Sequence, residues 1–198
     1  MLVVERMTRP PIIVAGEATV QEALAIIQEH KLRHLPVLAA SGALVGIVSE
    51  KDLLRANSGE SVDAIMTRDV VTVTEYTALE EAARIMSDHR ISSLPVMRDG
   101  KLVGIITETD LFQIFLELLA AREEGVRLTL LVPEEQGILA SLTAEIASLG
   151  GNILALGTFQ GEDPTNRMVT VKVANAPTEK LLAIMEALGM EIVDVRES

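Results

Sequence analysis

Two short strings carry the residues best suited to chemistry. Ser49-Glu50-Lys51-Asp52 and Thr107-Glu108-Thr109-Asp110 each follow a glycine and two apolar residues. A hydroxyl three residues ahead of an acid reads first as a helix N-cap with a carboxylate in the first turn, which satisfies free amide donors and complements the helix dipole. Capping accounts for the hydroxyls. It accounts less well for the recurrence of the whole pattern, with Asp52 and Asp110 in the same place. Two such carboxylates could share acid–base work or a Mg²⁺ ion, but repeat-related positions put them at separate sites. An enzyme finds no other support: there is no Gly-rich phosphate loop, no Gly-x-Ser-x-Gly elbow and no cysteine nucleophile, and the three histidines lack metal-ligand spacing. The expectation is a protein that is not an enzyme, with no catalytic residues and no metal.

Composition narrows the partners. Seventeen Lys+Arg against 29 Asp+Glu give a net charge of −12, which argues against nucleic acid. With 48% hydrophobic and 23% charged residues in 198, the chain can bury a core. The absence of cysteine excludes disulfide frameworks and thiol chemistry and fits a reducing compartment. A charge pair, Glu5-Arg6, lies close to the start, and the apolar stretch 114–121 is broken by Glu117, so neither a signal peptide nor a membrane span is expected. Cytoplasm is the expected location.

The elements that position these residues repeat. At a shift of 59, Met7-Thr8-Arg9 falls on Met66-Thr67-Arg68, Glu22-Ala23 on Glu81-Ala82, His30 on His89 and Leu35-Pro36-Val37 on Leu94-Pro95-Val96, with 11 identities in 31 positions. At a shift of 58, Leu44-Val45-Gly46-Ile47 falls on Leu102-Val103-Gly104-Ile105, with 7 of 10 identical through Leu53 and Leu111. The change of shift falls in a turn, Ala40-Ser41-Gly42 against Asp99-Gly100, where a hairpin tolerates a change of length. Each unit predicts a short extended piece (12–14; 70–73), a helix (20–30; 79–89) with apolar residues at helical spacing, a hairpin (35–39 with 44–49; 94–97 with 102–107) and a closing helix from Ser49 or Thr107. From Val126 the pattern changes to strand 126–132, helix 137–149, two strands, helix 178–188 and strand 191–195. This is the β-α-β-β-α-β order of ferredoxin-like folds.

The doubled unit resembles the cystathionine-β-synthase (CBS) domain, which normally occurs as a tandem pair, through Met-Thr near each start, Leu-Pro-Val in the middle, and 46–52 and 104–110 at the end. Residues 126–198 resemble an ACT domain through Pro133-Glu134-Glu135-Gln136-Gly137-Ile138-Leu139 and Gly150-Gly151-Asn152-Ile153. Together they resemble the acetoin-utilisation B type of bacterial regulatory protein. The implied architecture is α/β (α+β): CBS repeat 1 at 1–58 and CBS repeat 2 at 59–121 as a pseudo-two-fold module, then a ferredoxin-like ACT domain at 126–198.

The CBS resemblance implies two clefts between the repeats that bind adenosine-containing ligands: AMP, ADP or ATP, with S-adenosylmethionine a further candidate. The residue types suit this, since an Asp at a helix start can accept both ribose hydroxyls and a neighbouring Ser or Thr can bond ribose or phosphate. Each cleft would combine the carboxylate motif of one repeat with the strand before Pro-Val of the other. Asp110 and Thr107 would face Arg33 and His34, whereas Asp52 and Ser49 would face the neutral Ser92 and Ser93, so the Asp110 cleft is expected to take the more charged ligand. Thr8 and Thr67 would join these sites, and Ile12-Ile13 and Val70-Val71 would hold the base by backbone bonds and aliphatic contact, aromatics being only 2%. Lys51, Arg9 and Arg68 are further candidate phosphate partners. The bland alternatives are that Arg33 is a solvated strand charge, His34 a surface histidine, and His30 and His89 cations at helix ends.

The ACT resemblance implies a small-molecule site, such as one for an amino acid, at Glu135, Gln136 and Gly137 with Asn152 nearby. There the family's usual Pro before Gly is Gln136, and Gly137 and Asn152 could equally serve only as turn residues. The reading as a whole is a homodimeric sensor acting on an unnamed target protein. Its alternative is a structural dimer with degenerate pockets.

Overall fold

The computed structural model describes residues 1–161 and 163–197. It divides into two compact units, Met1–Phe112 and Gln113–Ser198.

The first unit is built from two copies of one motif. In the first copy β1 (Val14–Ala15) runs parallel to β2 (His34–Leu38), which pairs antiparallel with β3 (Leu44–Ser49). Helix α1 (Val20–His30) starts where Thr19 and Glu22 form a reciprocal capping box, and it ends at Lys31 in the left-handed conformation, φ 53°. Its Val20, Ala23 and Ile27 pack with Leu35, Val37 and Val48 of the sheet, all nearly inaccessible to water. Each such aliphatic side chain contributes about 1.5–3 kcal/mol on burial. Helix α2 (Glu50–Arg55) closes the copy through buried Leu53.

The second copy repeats this with β4 (Val73–Thr74), α4 (Leu79–His89), β5 (Ser93–Arg98), β6 (Lys101–Thr107) and the start of α5 (Glu108–Leu118), which continues into the second unit after Phe112, and α4 ends at left-handed Arg90, φ 54°. The hairpin length difference lies where the sequence puts it: Asp99 and Gly100 both take positive φ in a two-residue turn, while the first copy uses a longer loop with Gly42 at φ 82°.

The leading segments are exchanged. A single 3₁₀ turn at Val3–Glu5 packs on the second copy, with the amides of Val3 and Val4 donating to Thr77 O and Glu75 O at 2.9 and 3.0 Å, and Thr8 pairs with Ile105 at the edge of β6. The equivalent short helix α3 (Val62–Ile65) packs on the first copy, with Val62 and Asp63 donating to Ala18 O and Gly16 O at 2.8 and 2.9 Å, and Thr67 pairs with Ile47 of β3. The sequence reading anticipates neither short element nor the exchange. Gly104 and Gly46 are what permit it: a Cβ at Gly104 would stand 2.5 Å from Met7 Sδ and 3.1 Å from Thr8 O, and one at Gly46 would run into Met66 Sδ.

The second unit has the expected order of strands and helices: β7 (Val126–Pro133), α6 (Ile138–Ser148), β8 (Asn152–Gln160), β9 (Asn166–Ala174), α7 (Thr178–Ala187) and β10 (Glu191–Glu197). Its antiparallel sheet has the order β10-β7-β9-β8. Alternate residues of β7, namely Val126, Leu128, Leu130 and Val132, face Leu142, Ile146, Leu181 and Met185 of the two helices in a single apolar core. Among the described residues, no helix is long and apolar enough to cross a membrane.

Candidate ligand clefts between the repeats

Both hydroxyl–carboxylate pairs are helix caps in fact. Ser49 accepts from the Asp52 amide at 3.2 Å, and Asp52 Oδ2 accepts from the Ser49 amide at 3.2 Å and from its hydroxyl at 2.5 Å. At the other site Asp110 Oδ2 accepts from Thr107 N and Oγ1 at 2.8 and 2.7 Å, and Thr107 Oγ1 accepts in return from the Asp110 amide at 3.3 Å. Capping therefore occupies one oxygen of each carboxylate. The Oδ1 atoms have no hydrogen-bond partner among the described residues, and an ionised carboxylate offers about four acceptor positions in all.

Each pair lines a cavity of about 250 Å³ between the two copies. In one, Thr107 and Asp110 share the wall with Thr8, Ile12, Arg33 and His34. In the other, Ser49 and Asp52 meet Thr67, Val70, Val71, Ser92 and Ser93. The backbone pairing explains this grouping. The Thr8–Ile105 bridge delivers residues 8–12 beside Thr107, and the Ile47–Thr67 bridge delivers residues 67–71 beside Ser49. Ile13 does not line the first cavity and is 37% exposed, pointing away as strand alternation from buried Val14 requires. The Val70 amide already donates to Arg68 O at 2.9 Å, so it is spent within the chain. Arg9 and Lys51 line neither cavity, and Arg68 instead donates to Asp63 O at 2.8 Å.

Several lining residues escape the sequence reading. Lys31 and Arg90, the left-handed caps of α1 and α4, line the Asp110 and Asp52 cavities respectively, and Glu108 and Asp69 add a carboxylate to each. Beyond the neutral Ser92 and Ser93, the Asp52 cavity thus holds one cation and two carboxylates. The signal was present, since Lys31 and Arg90 are equivalent basic residues 59 apart. Among the described residues, Lys31, Arg33 and Arg90 have no carboxylate within ion-pair distance.

The two cavities share a wall. His34 and Ser92 line both, and the hydroxyl and Nε2 lie 3.4 Å apart. Burial of the ring pushes the His34 pKa below its ordinary value; Asp52 and Glu108 act against this shift and Arg33 with it. The imidazole is therefore neutral at pH 7.

In the second unit a cavity of about 320 Å³ opens at the loop between β7 and α6, lined by Glu135 and Gly137 among others. Gln136 and Asn152 are not part of its wall. Its charged partners are Glu134 and Arg167, joined at 2.5 Å, and this bond holds the Glu134 carboxyl below the usual range. The sequence reading names Glu134 only as part of the string 133–139 and misses Arg167, which β9 brings in from 33 residues away. Gly137 enters α6 with φ 90°, a conformation that favours glycine.

Known proteins share this arrangement. The CBS domain pair of protein MJ0100, solved in complex with 5′-methylthioadenosine and S-adenosyl-L-methionine, superposes with a TM-score of 0.56 at 32% identity, covering 62% of this chain and 98% of that one. A Vibrio cholerae protein provisionally named an acetoin utilization protein gives 0.57 at 34% identity, covering 62% and 95%. The L-aspartate semialdehyde sulfurtransferase of Methanocaldococcus jannaschii is 34% identical over 117 residues, which are 58% of this chain and 23% of that enzyme. The chain spans about a quarter of the length of the curated relatives it first matches. The CBS domain model itself matches residues 3–59 and 62–117, more than half of the sequence and the same two copies whose exchanged edges build the clefts, so the chain belongs to the CBS-domain family.

Proposed function

We propose that this protein is a ligand sensor without catalytic activity, whose paired clefts bind adenosine-containing compounds such as AMP, ADP, ATP or S-adenosylmethionine. One observation carries the reading. Among the described residues, each cleft presents a carboxylate anchored by one oxygen and open at the other, beside a hydroxyl and a cation with no carboxylate within ion-pair distance. Such a carboxylate suits a ribose diol, and an uncommitted guanidinium suits a phosphate. The bound methylthioadenosine and S-adenosylmethionine of the similar domain pair support the same ligand class. The Asp110 cleft, with Arg33 and Lys31, is the better phosphate site. The second unit, read as an ACT domain at 126–198, serves for pairing or for a second small-molecule signal at the Glu134–Arg167 cavity. Its edge strand β8 carries half-exposed Leu156 and Phe159, which favours a homodimer. The provisional name of the Vibrio cholerae relative points to acetoin utilisation as the process.

Isothermal titration of ligand-free protein with AMP, ADP, ATP and S-adenosylmethionine tests the reading. Asp110→Ala should weaken nucleotide binding at least tenfold while the far-UV spectrum stays native. No heat from any of the four, with folded protein, refutes the sensor and leaves a structural dimer with empty pockets.

A further inference from the structure

The two clefts are related by the internal repeat, so residues that break the repeat are what make them different. Lys31 and Arg90 are equivalents and contribute one cation to each cavity. His34 belongs to both. Three positions differ in charge: Arg33 is replaced by Ser92, Pro10 by Asp69, and Lys51, which lines neither cavity, by Thr109. Asp69 lines the Asp52 cavity on the segment that Thr67 attaches to β3, and its carboxylate has no ion-pair partner among the described residues. The Asp110 cavity thus sets two cations against two carboxylates, and the Asp52 cavity sets one cation against two.

Resting on the adenosine reading above, we infer that Asp69 is a specificity-determining residue that excludes phosphorylated adenosine compounds from the Asp52 cleft and reserves it for those whose 5′ substituent is uncharged or cationic. A cavity of 250 Å³ is about 8 Å across, comparable to the Debye length of about 8 Å at physiological salt, so a phosphate in it feels both carboxylates through only partial screening. Arg90 offsets one of them. A sulfonium or a neutral thioether in the same place meets no such repulsion. Discrimination here comes from a repulsive group aimed at the wrong ligand as much as from an attractive one.

The test is a two-site titration of the full chain with AMP, neutral 5′-methylthioadenosine and cationic S-adenosylmethionine, in wild type and Asp69→Asn, repeated with Asp110→Ala to isolate the Asp52 cleft. The two adenosyl sulfur compounds should prefer the Asp52 cleft and AMP the other. Asp69→Asn, an exchange at an exposed position, should raise AMP affinity at the Asp52 cleft about tenfold and leave methylthioadenosine unchanged. AMP affinity that ignores Asp69→Asn, or AMP already favouring the Asp52 cleft in wild type, overturns the inference while leaving the adenosine reading intact. Failure of all three compounds to bind wild-type protein refutes the adenosine reading itself, and this inference with it.

Discussion

His34, with Ser92, forms the wall on which both clefts meet. Because burial lowers its pKa in the folded chain, the unfolded chain binds the proton more readily, and stability falls as pH drops from the unfolded value near 6.5 through the lower folded value. Above that window the residue contributes no pH dependence. Denaturant midpoints measured between pH 8 and 5 should show an acid-side loss in wild type that is smaller in His34→Gln, with the difference confined to pH values below about 6.5. Equal slopes in the two proteins would mean that the ring is solvated. At this scale much of the site was legible. Ser49, Asp52, Thr107 and Asp110 announce themselves by recurring in one string, and Arg33 and His34 by preceding Leu-Pro-Val. Lys31 and Arg90 left only the trace of equivalent basic residues, and Asp69 left none, because each takes its role from a helix end or a loop position with no hydrophobic period, where side-chain direction follows backbone conformation.

At the scale of elements, the fold depends on segments too short to carry a pattern. Each of the two exchanged segments is held by isolated bridges, the one at its Met-Thr pair lying against a glycine in the neighbouring strand. Gly104→Ala should destabilise the chain by about 1–3 kcal/mol in urea unfolding, as overpacking of buried Met7 forces the segment off β6. The same substitution made on Met7→Ala should cost measurably less, and additive losses would show that the contact is not the cause. Helices α1 and α4 were readable from period at their observed bounds, and both hairpins from turn chemistry, with strand boundaries shifted by about one residue. The exchange was hidden because an isolated bridge leaves no trace in periodicity. The repeat boundary drawn at residue 58 follows the sequence copies, whereas packing joins 62–67 to the first copy and 3–8 to the second.

At the scale of the whole molecule, each compact unit has its own buried core, and the ligand clefts lie in the first unit alone. A bound adenosine compound should therefore raise the unfolding transition of the first unit selectively. At a free concentration of 100 times Kd the gain is about 2.7 kcal/mol. Differential scanning calorimetry with and without saturating ligand should resolve one shifted and one stationary transition. A stationary first transition contradicts binding in the clefts, and equal shifts of both contradict independent unfolding. The second unit's order of elements could be read from its alternating β7 and its glycine punctuation. Arg167 could not be read that way, since only the return of β9 beside β7 carries it to the loop it closes.

The exchanged edges also set an order of assembly during synthesis. The bridge beside Asp52 joins residues 47 and 67, and its cavity is complete once residue 93 has emerged. The bridge beside Asp110 joins residue 8 to residue 105, so the first-made end of the chain must wait for nearly the last-made strand of its unit before that cavity exists. Closing the longer loop carries the greater entropic cost, which makes it the later event in refolding as well. On the ribosome, the nascent chain acquires its Asp52 cleft first; residues 1–4 gain their partners once 75–79 emerge, and only Thr8 waits for Ile105 of β6.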